Sequence, residues 1–248
     1  MIEVKKLTKI YDSKKVLDNI DIKIENGEIF TIMGPSGTGK STFIKSIIRL
    51  IEPDGGDIII DGLNILKAKN EFEIQKIRKN FGYLFQEGAL FDSLNVWENV
   101  SFGLKYLTNI KPEKYKDIAR EKLELVGLKD IENKKVSELS GGMKKRVSLA
   151  RAIAHNPKYI LYDEPTTGLD PISGEIIMNL ISEMSKKIGV TSIVVTHDVK
   201  LSLTISTRIG MLFKGRFIEV NSPQGIKNSR IEEVRKFIET SFIENVSK

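Results

Sequence analysis

The chain of 248 residues has no cysteine and only two histidines, which excludes disulfides, thiolate catalysis and cysteine metal sites and leaves too few imidazoles for a histidine-based zinc site. With 40% hydrophobic and 29% charged residues it is long enough to bury a real core, as one large domain or one domain with a subdomain. The net charge of +6 comes from lysines scattered along the chain, which reads as a solvated lysine-rich surface rather than a nucleic-acid site.

The first thirty residues read as β-rich. Ile2-Glu3-Val4 opens them, Asp21-Ile22-Lys23-Ile24 alternates strictly, and Asn26-Gly27 makes a turn into the buried strand Ile29-Phe30-Thr31-Ile32-Met33. Between them lies Tyr11, followed by Val16. An exposed tyrosine here can stack on a purine ring, or be an ordinary surface or half-buried tyrosine.

Gly34-Pro35-Ser36-Gly37-Thr38-Gly39-Lys40-Ser41-Thr42 then matches the P-loop pattern G-x-x-x-x-G-K-[ST]. A helix predicted from Ser41 to Ile51 follows, with Phe43, Ile44, Ile47, Ile48 and Ile51 on one face. Strand, glycine loop and helix come in the order a phosphate cradle needs: the loop's N–H groups ring the anion and the helix dipole adds its positive end. Lys40 then reaches the β- and γ-phosphates, Ser41 offers its hydroxyl to Mg²⁺, and Thr42 offers a further phosphate contact.

Pro53 to Asp57 reads as a turn, Ile58-Ile59-Ile60 as a short strand ending at Asp61-Gly62, and Phe81 to Phe85 as a strand closing on Gln86. A strand-end amide there can meet a metal or a water, or face solvent. From Glu87 to about Lys135 the texture becomes helical, with Val96 to Val100 opening one helix and Tyr115, Ile118, Ala119 and Val126 striping another; Trp97 reads as core.

Leu139-Ser140-Gly141-Gly142-Met143 leads into a helix with Val147, Ala150, Ile153 and Ala154 on one face and Lys144, Lys145, Arg146 and Arg151 elsewhere. Ser140 and two glycines at a helix start make a second anion-receptive terminus, or simply a capped helix. Tyr159 to Pro165 is an apolar strand ending in two acids. Asp163 is placed to hold Mg²⁺ through water, and Glu164, across the pleat, to polarise an attacking water. A loop with Gly168-Leu169-Asp170 precedes a helix over Ser173 to Ile188, predicted to bury Ile176, Ile177, Leu180, Ile181, Met184 and Ile188. Strand Ser192 to Thr196 ends at His197, where parallel α/β sheets gather their ligands. Ile209–Phe213 and Arg216–Val220 read as a hairpin, and after Ser222-Pro223 a terminal helix carries Ile231, Val234, Phe237 and Ile238, extended by Phe242 and Ile243, on a stripe that must cover something.

Together these motifs resemble an ATP-binding cassette (ABC) ATPase over almost the whole chain. The resemblance implies an α/β P-loop NTPase fold with an N-terminal antiparallel β subdomain and a helical insertion. It divides the chain into a RecA-like core with β subdomain over about 1–86 and 136–220, a helical subdomain over about 87–135 and a helical tail over about 223–248. It makes Tyr11 the adenine-stacking residue and Val16 its apolar neighbour, Gly34 to Thr42 Walker A, Gln86 the Q-loop glutamine, and Leu139 to Met143 the signature. Asp163 and Glu164 become Walker B and the catalytic base, Asp170 part of the D-loop, and His197 the switch histidine. ATP and Mg²⁺ are implied as ligands, and a second copy as partner, closing head to tail so that Ser140, Gly141 and Gly142 of one copy face the P-loop of the other.

Met143 stands where glutamine is common in the signature. With Gln86 to Phe91 and the C-terminal helix it is similar to the ATPase of Mla-type phospholipid transporters. That implies separate integral membrane permease subunits, a substrate-binding protein of the mammalian-cell-entry type, a small accessory subunit, and a peripheral place on the cytoplasmic face of the inner membrane. An amino-acid or other small-solute importer and a soluble assembly factor share the motifs. A P-loop kinase or GTPase needs no signature element. No apolar run approaches a bilayer span and Met1-Ile2-Glu3-Val4 lacks a signal-peptide form, so a cytosolic chain is expected.

Overall fold

The computed structural model describes residues 1–244. Strand β1 (Ile2–Tyr11) pairs antiparallel with β2 (Lys14–Ile24) through a tight turn at Asp12 and Ser13, both at positive φ. Strand β3 (Ile29–Met33) is buried along its whole length and leaves directly into the glycine loop and α1 (Lys40–Ile47). That helix is shorter than predicted. It stops at Ile47 because Ile48 has left the helical region and Arg49 turns back at φ 53, so Ile51 lies outside it.

Strand β4 (Gly55–Ile60) starts within the stretch read as a turn, since Gly55 pairs with Thr8 and Asp57 with Lys5, and β5 (Leu63–Asn64) follows it. Helix α2 (Glu71–Arg78) was not predicted; Asn70 caps it by accepting from the Glu73 N–H at 3.0 Å, and Ile74 and Ile77 are its buried face. After β6 (Phe81–Leu84) come α3 (Val96–Ser101), α4 (Leu104–Leu107), α5 (Tyr115–Leu125) and α6 (Gly141–Ile153). A capping box between Asn95 and Glu98 starts α3, and buried Asn99 braces the preceding loop by bonding the Phe91 N–H and carbonyl. Trp97 is half-buried against this helical cluster. Lys145, off the apolar face of α6, is nonetheless buried and donates to the Gln86 carbonyl.

Strand β7 (Tyr159–Asp163), α7 (Pro171–Ile188), β8 (Thr191–Val195), α8 (Val199–Ile205), β9 (Arg208–Phe213), β10 (Arg216–Asn221), α9 (Pro223–Lys227) and α10 (Glu232–Glu244) complete the chain. On α7 the buried apolar residues are Ile177, Met178, Ile181 and Met184, with Leu180 half-buried, whereas Ile176 and Ile188 are exposed: Ile176 lies off that stripe and Ile188 is the last residue of the helix. The tail forms two helices. Ile226, Val234 and Ile238 pack on Met33, Val199, Ile209 and Met211 of the same chain, which identifies what the terminal stripe covers. The side chains of Phe242 and Ile243 lie outside the described residues.

Two sheets result. One is antiparallel, ordered β2-β1-β4-β5; the other is ordered β10-β9-β3-β8-β7-β6, parallel from β9 to β6 with β10 antiparallel at its edge. Alternation along a strand sends successive side chains to opposite faces. Tyr159 and Leu161 therefore join the core beneath α1 and the antiparallel sheet, while Ile160 and Tyr162 join the core with α3, α5, α6 and α7.

Candidate functional site

The carboxyl ends of β3, β8, β7 and β6 lie side by side, and there the chain delivers the glycine loop, His197, Asp163 with Glu164, and Gln86 respectively. An open α/β sheet places ligands at this edge. Gly39 caps α1 at φ 98, a left-handed conformation that turns the backbone so that consecutive N–H groups converge at the helix start. Lys40 is buried and donates to the Gly34 carbonyl at 2.8 Å and the Pro35 carbonyl at 3.0 Å, while Thr38 Oγ1 donates to the same Pro35 carbonyl at 2.9 Å. Burial holds the Lys40 ammonium below its ordinary range, and the carboxylates of Glu164 and Asp163 oppose that shift.

Asp163 shares the face of Tyr159 and Leu161 and so points toward α1. Its Oδ1 accepts from Ser41 Oγ at 2.6 Å, its Oδ2 from Tyr83 Oη at 3.1 Å, and Lys45 Nζ stands 3.6 Å from Oδ2. Glu164 is not placed by the pleat. It has left the strand at φ 49, its N–H donates to the Val195 carbonyl at 2.8 Å, and this turn swings the carboxylate to within 2.9 Å of His197 Nδ1. The hydrogen bond to Glu164 raises the His197 pKa, outweighing the desolvation that lowers it.

A cavity of about 490 Å³ collects Tyr11, Val16, Ser36, Gly37, Gly39, Lys40, Ser41, Thr42, Gln86, Glu164, Thr167 and His197. Tyr11 is exposed at its mouth with Lys9 Nζ 5.0 Å from the ring centre. Gly34, Pro35 and Thr38 lie outside that lining but are tied to it through the Lys40 and Thr38 bonds to the Gly34 and Pro35 carbonyls, and Asp163 is tied to it through Ser41. Ser140, Gly141, Gly142 and Asp170 are elsewhere. Ser140 caps α6 by accepting from the Met143 N–H at 3.3 Å, and Asp170 caps α7 by accepting from the Ser173 N–H at 3.0 Å. Gly141 borders a second concavity of about 290 Å³ with Lys144, Lys145, Gly168 and Leu169, which meets the first at Gln86 and Thr167. One chain thus presents two helix starts suited to an anion, in two adjoining hollows.

Among the described residues no three His, Cys, Asp or Glu side chains cluster as a metal cage. The Ser41 hydroxyl and Asp163 carboxylate instead offer two hard oxygens beside the loop. That donor set fits Mg²⁺, which takes one or two protein oxygens and completes its octahedron with phosphate and water. Thr167, Tyr83 and Lys45 were not singled out from sequence. Tyr83 comes to Asp163 through the strand register, pairing with Leu161 across the parallel ladder and so sharing the face on which Asp163 lies two residues on.

The ABC transporter family model matches residues 17–167, more than half of the chain. The chain belongs to the ABC transporter family. As an ABC transporter ATPase subunit it is 42% identical over 237 residues to a probable ribonucleotide transport ATP-binding protein of Mycobacterium leprae, covering 96% of this chain and 68% of that protein. It is 39% identical to the ATP-binding protein of an intermembrane phospholipid transport system in Haemophilus influenzae, covering 96% of this chain and 90% of that one. It is 38% identical to a glutamine transport ATP-binding protein of Escherichia coli, covering 96% and 99%. Among solved structures, a dimeric ATP-binding cassette in a post-hydrolysis state with ADP and Pi superposes with a TM-score of 0.83 at 35% identity, covering 90% of this chain and 99% of that chain. This ABC ATPase therefore binds and hydrolyses ATP, and three relatives of comparable identity are named for three different cargoes.

Proposed function

We propose that this ABC ATPase drives a phospholipid transporter, hydrolysing ATP only where two copies close head to tail. The observation that carries the shared site is the separation of the two anion-receptive helix starts. The α1 start sits in the main cavity and the Ser140 start of α6 borders another hollow, so one copy alone leaves the second start without a substrate to hold. In the closed pair Tyr11 stacks on adenine with Val16 beside it, and Gly34 to Thr42 wrap the phosphates. Ser140, Gly141 and Gly142 of the second copy reach the γ-phosphate from the other side, and Asp170 lies along the seam. The dimeric relative with ADP and Pi supports this arrangement.

Within the site Glu164 accepts the proton of the attacking water, and His197, bonded to it at 2.9 Å, holds the carboxylate in register with the γ-phosphate. Ser41 and Asp163, with Gln86 at the cavity wall, hold Mg²⁺. Bound there, Mg²⁺ would supply positive charge to offset the negative charge that builds on the phosphates during transfer. Pairing is sustained by ATP at the seam and released on hydrolysis, so the cycle of closing and opening is what a partner can harness.

Phospholipid as cargo is supported by the 39% identity to the Haemophilus influenzae phospholipid-system ATPase and by Met143 with the residues after Gln86. Among the described residues no helix is long and apolar enough to cross a membrane. In this reading the permease is a separate chain, with a substrate-binding protein of the mammalian-cell-entry type and a small accessory subunit beside it, and the ATPase works peripherally at the cytoplasmic face of the inner membrane. The glutamine-system relative, matched over 99% of its length, favours a small-solute importer as the second reading.

Purifying the tagged subunit from membranes and identifying its partners and bound lipid distinguishes the two. Copurifying permease with phospholipid is expected, whereas a periplasmic amino-acid receptor, or no membrane protein at all, overturns the cargo. Ser140→Arg tests the shared site: it should spare ATP binding and abolish ATP-dependent dimerisation in light scattering. Full turnover by a strictly monomeric preparation refutes it.

A further inference from the structure

We propose that Tyr83 is a positioning residue for the metal site, holding the Asp163 carboxylate in the one orientation that turns Oδ1 toward Ser41. The inference rests on the reading of Asp163 as the Mg²⁺-holding carboxylate. A carboxylate has two equivalent oxygens and a free rotation about its last bond, so a single contact from Ser41 leaves it free to turn away. The structure supplies the missing constraint from the neighbouring strand. Tyr83 on β6 pairs with Leu161 on β7, and its hydroxyl donates to Asp163 Oδ2 at 3.1 Å, leaving Oδ1 for Ser41 at 2.6 Å.

Three further observations make this a built contact. The Tyr83 ring lies in a tilted stack on Phe85, centroids 4.2 Å apart, which restricts how the phenol can turn. Lys45 Nζ, 3.6 Å from the same Oδ2, places a positive charge on that oxygen and reinforces the division between a held oxygen and a working one. Tyr83 is also half-buried against the core that contains Leu161 and the inner face of α1, which keeps the phenol beside Asp163. Groups that orient a metal-holding side chain in this way contribute about 10–100-fold to metal affinity.

The test substitutes Tyr83→Phe, which keeps the ring and its stack on Phe85 and deletes only the hydroxyl. Binding of Mn²⁺ in the presence of the non-hydrolysable analogue AMP-PNP is read by electron paramagnetic resonance, and AMP-PNP binding in EDTA is read by calorimetry. Tyr83→Phe is expected to weaken Mn²⁺ about tenfold while leaving the metal-free nucleotide affinity unchanged. Equal loss of both affinities means a distorted pocket and overturns the assignment. Asp163→Asn separates the remaining failures. Mn²⁺ binding that falls in Asp163→Asn and is intact in Tyr83→Phe overturns the role of Tyr83 alone, whereas binding intact in both overturns the metal reading of Asp163 beneath it.

Discussion

Alanine at the three P-loop glycines 34, 37 and 39 tests whether this loop is held by close backbone contact or only by glycine's conformational freedom. At Gly37 φ is 76 and a Cβ meets nothing within 4 Å, so the substitution costs only the left-handed backbone. That penalty is about 1–2 kcal/mol, offset by about 0.4–1 kcal/mol from a stiffer unfolded chain. At Gly39 φ is 98 and a Cβ stands 2.7 Å from the Val16 carbonyl oxygen and 3.0 Å from Val16 Cγ1. Neither atom is the tip of a flexible chain, so an overpacking cost of roughly 1–3 kcal/mol adds to the backbone term. At Gly34 the nearest atom is the Leu212 carbonyl oxygen at 2.2 Å, on a strand paired to both of its neighbours, and the cost is at least that of Gly39. Urea unfolding of the three variants should therefore give midpoints in the order Gly37→Ala, then Gly39→Ala, then Gly34→Ala, with Gly39→Ala at least about 1 kcal/mol below Gly37→Ala. Equal midpoints, or Gly37→Ala the least stable, would refute the packing argument. Because Val16 also lines the main cavity, calorimetry on Gly39→Ala should show weaker ATP binding in step with its displacement.

Glu164→Gln keeps the size of the side chain and a hydrogen-bonding contact to His197 but removes the base; single-turnover hydrolysis should fall by roughly 10²–10⁴-fold with ATP still bound. Normal turnover would move the base elsewhere. For His197 the folded pKa lies above the unfolded reference of 6.5, so the Glu164 contact stabilises most below that reference and fades as pH rises through the folded value. The melting-temperature margin of the parent over His197→Gln, measured from roughly pH 6 to pH 9, should shrink steadily toward the alkaline end; a flat or growing margin would show that the pair is not ionic.

What could be read from the chain alone follows from how locally each feature is determined. Gly34 to Thr42 carry their own conformation, since Gly39 at φ 98 is a requirement of the turn itself, and the apolar runs Ile29–Met33 and Tyr159–Asp163, five residues each, are the length of a buried strand and too short for a helix. Ser140 likewise announces α6, because a cap is a contact over three residues. The misreadings all depend on partners distant in sequence. Gly55 and Asp57 look like a turn until β1 supplies Thr8 and Lys5 to pair with them. Ile176, Ile188 and Met178 all lie on α7, and only the core packed against that helix from other elements decides that Met178 is the one buried. Glu164 makes the point at the site: pleat alternation predicts a carboxylate on the opposite face from Asp163, and a left-handed residue anchored to the Val195 carbonyl is what brings it to His197 instead. The residue types needed for phosphate chemistry are therefore local information, whereas the angle at which the two acids leave their strand belongs to the neighbouring strands β8 and β6. Substitutions on those strands should change how the acids are aimed without touching either acid.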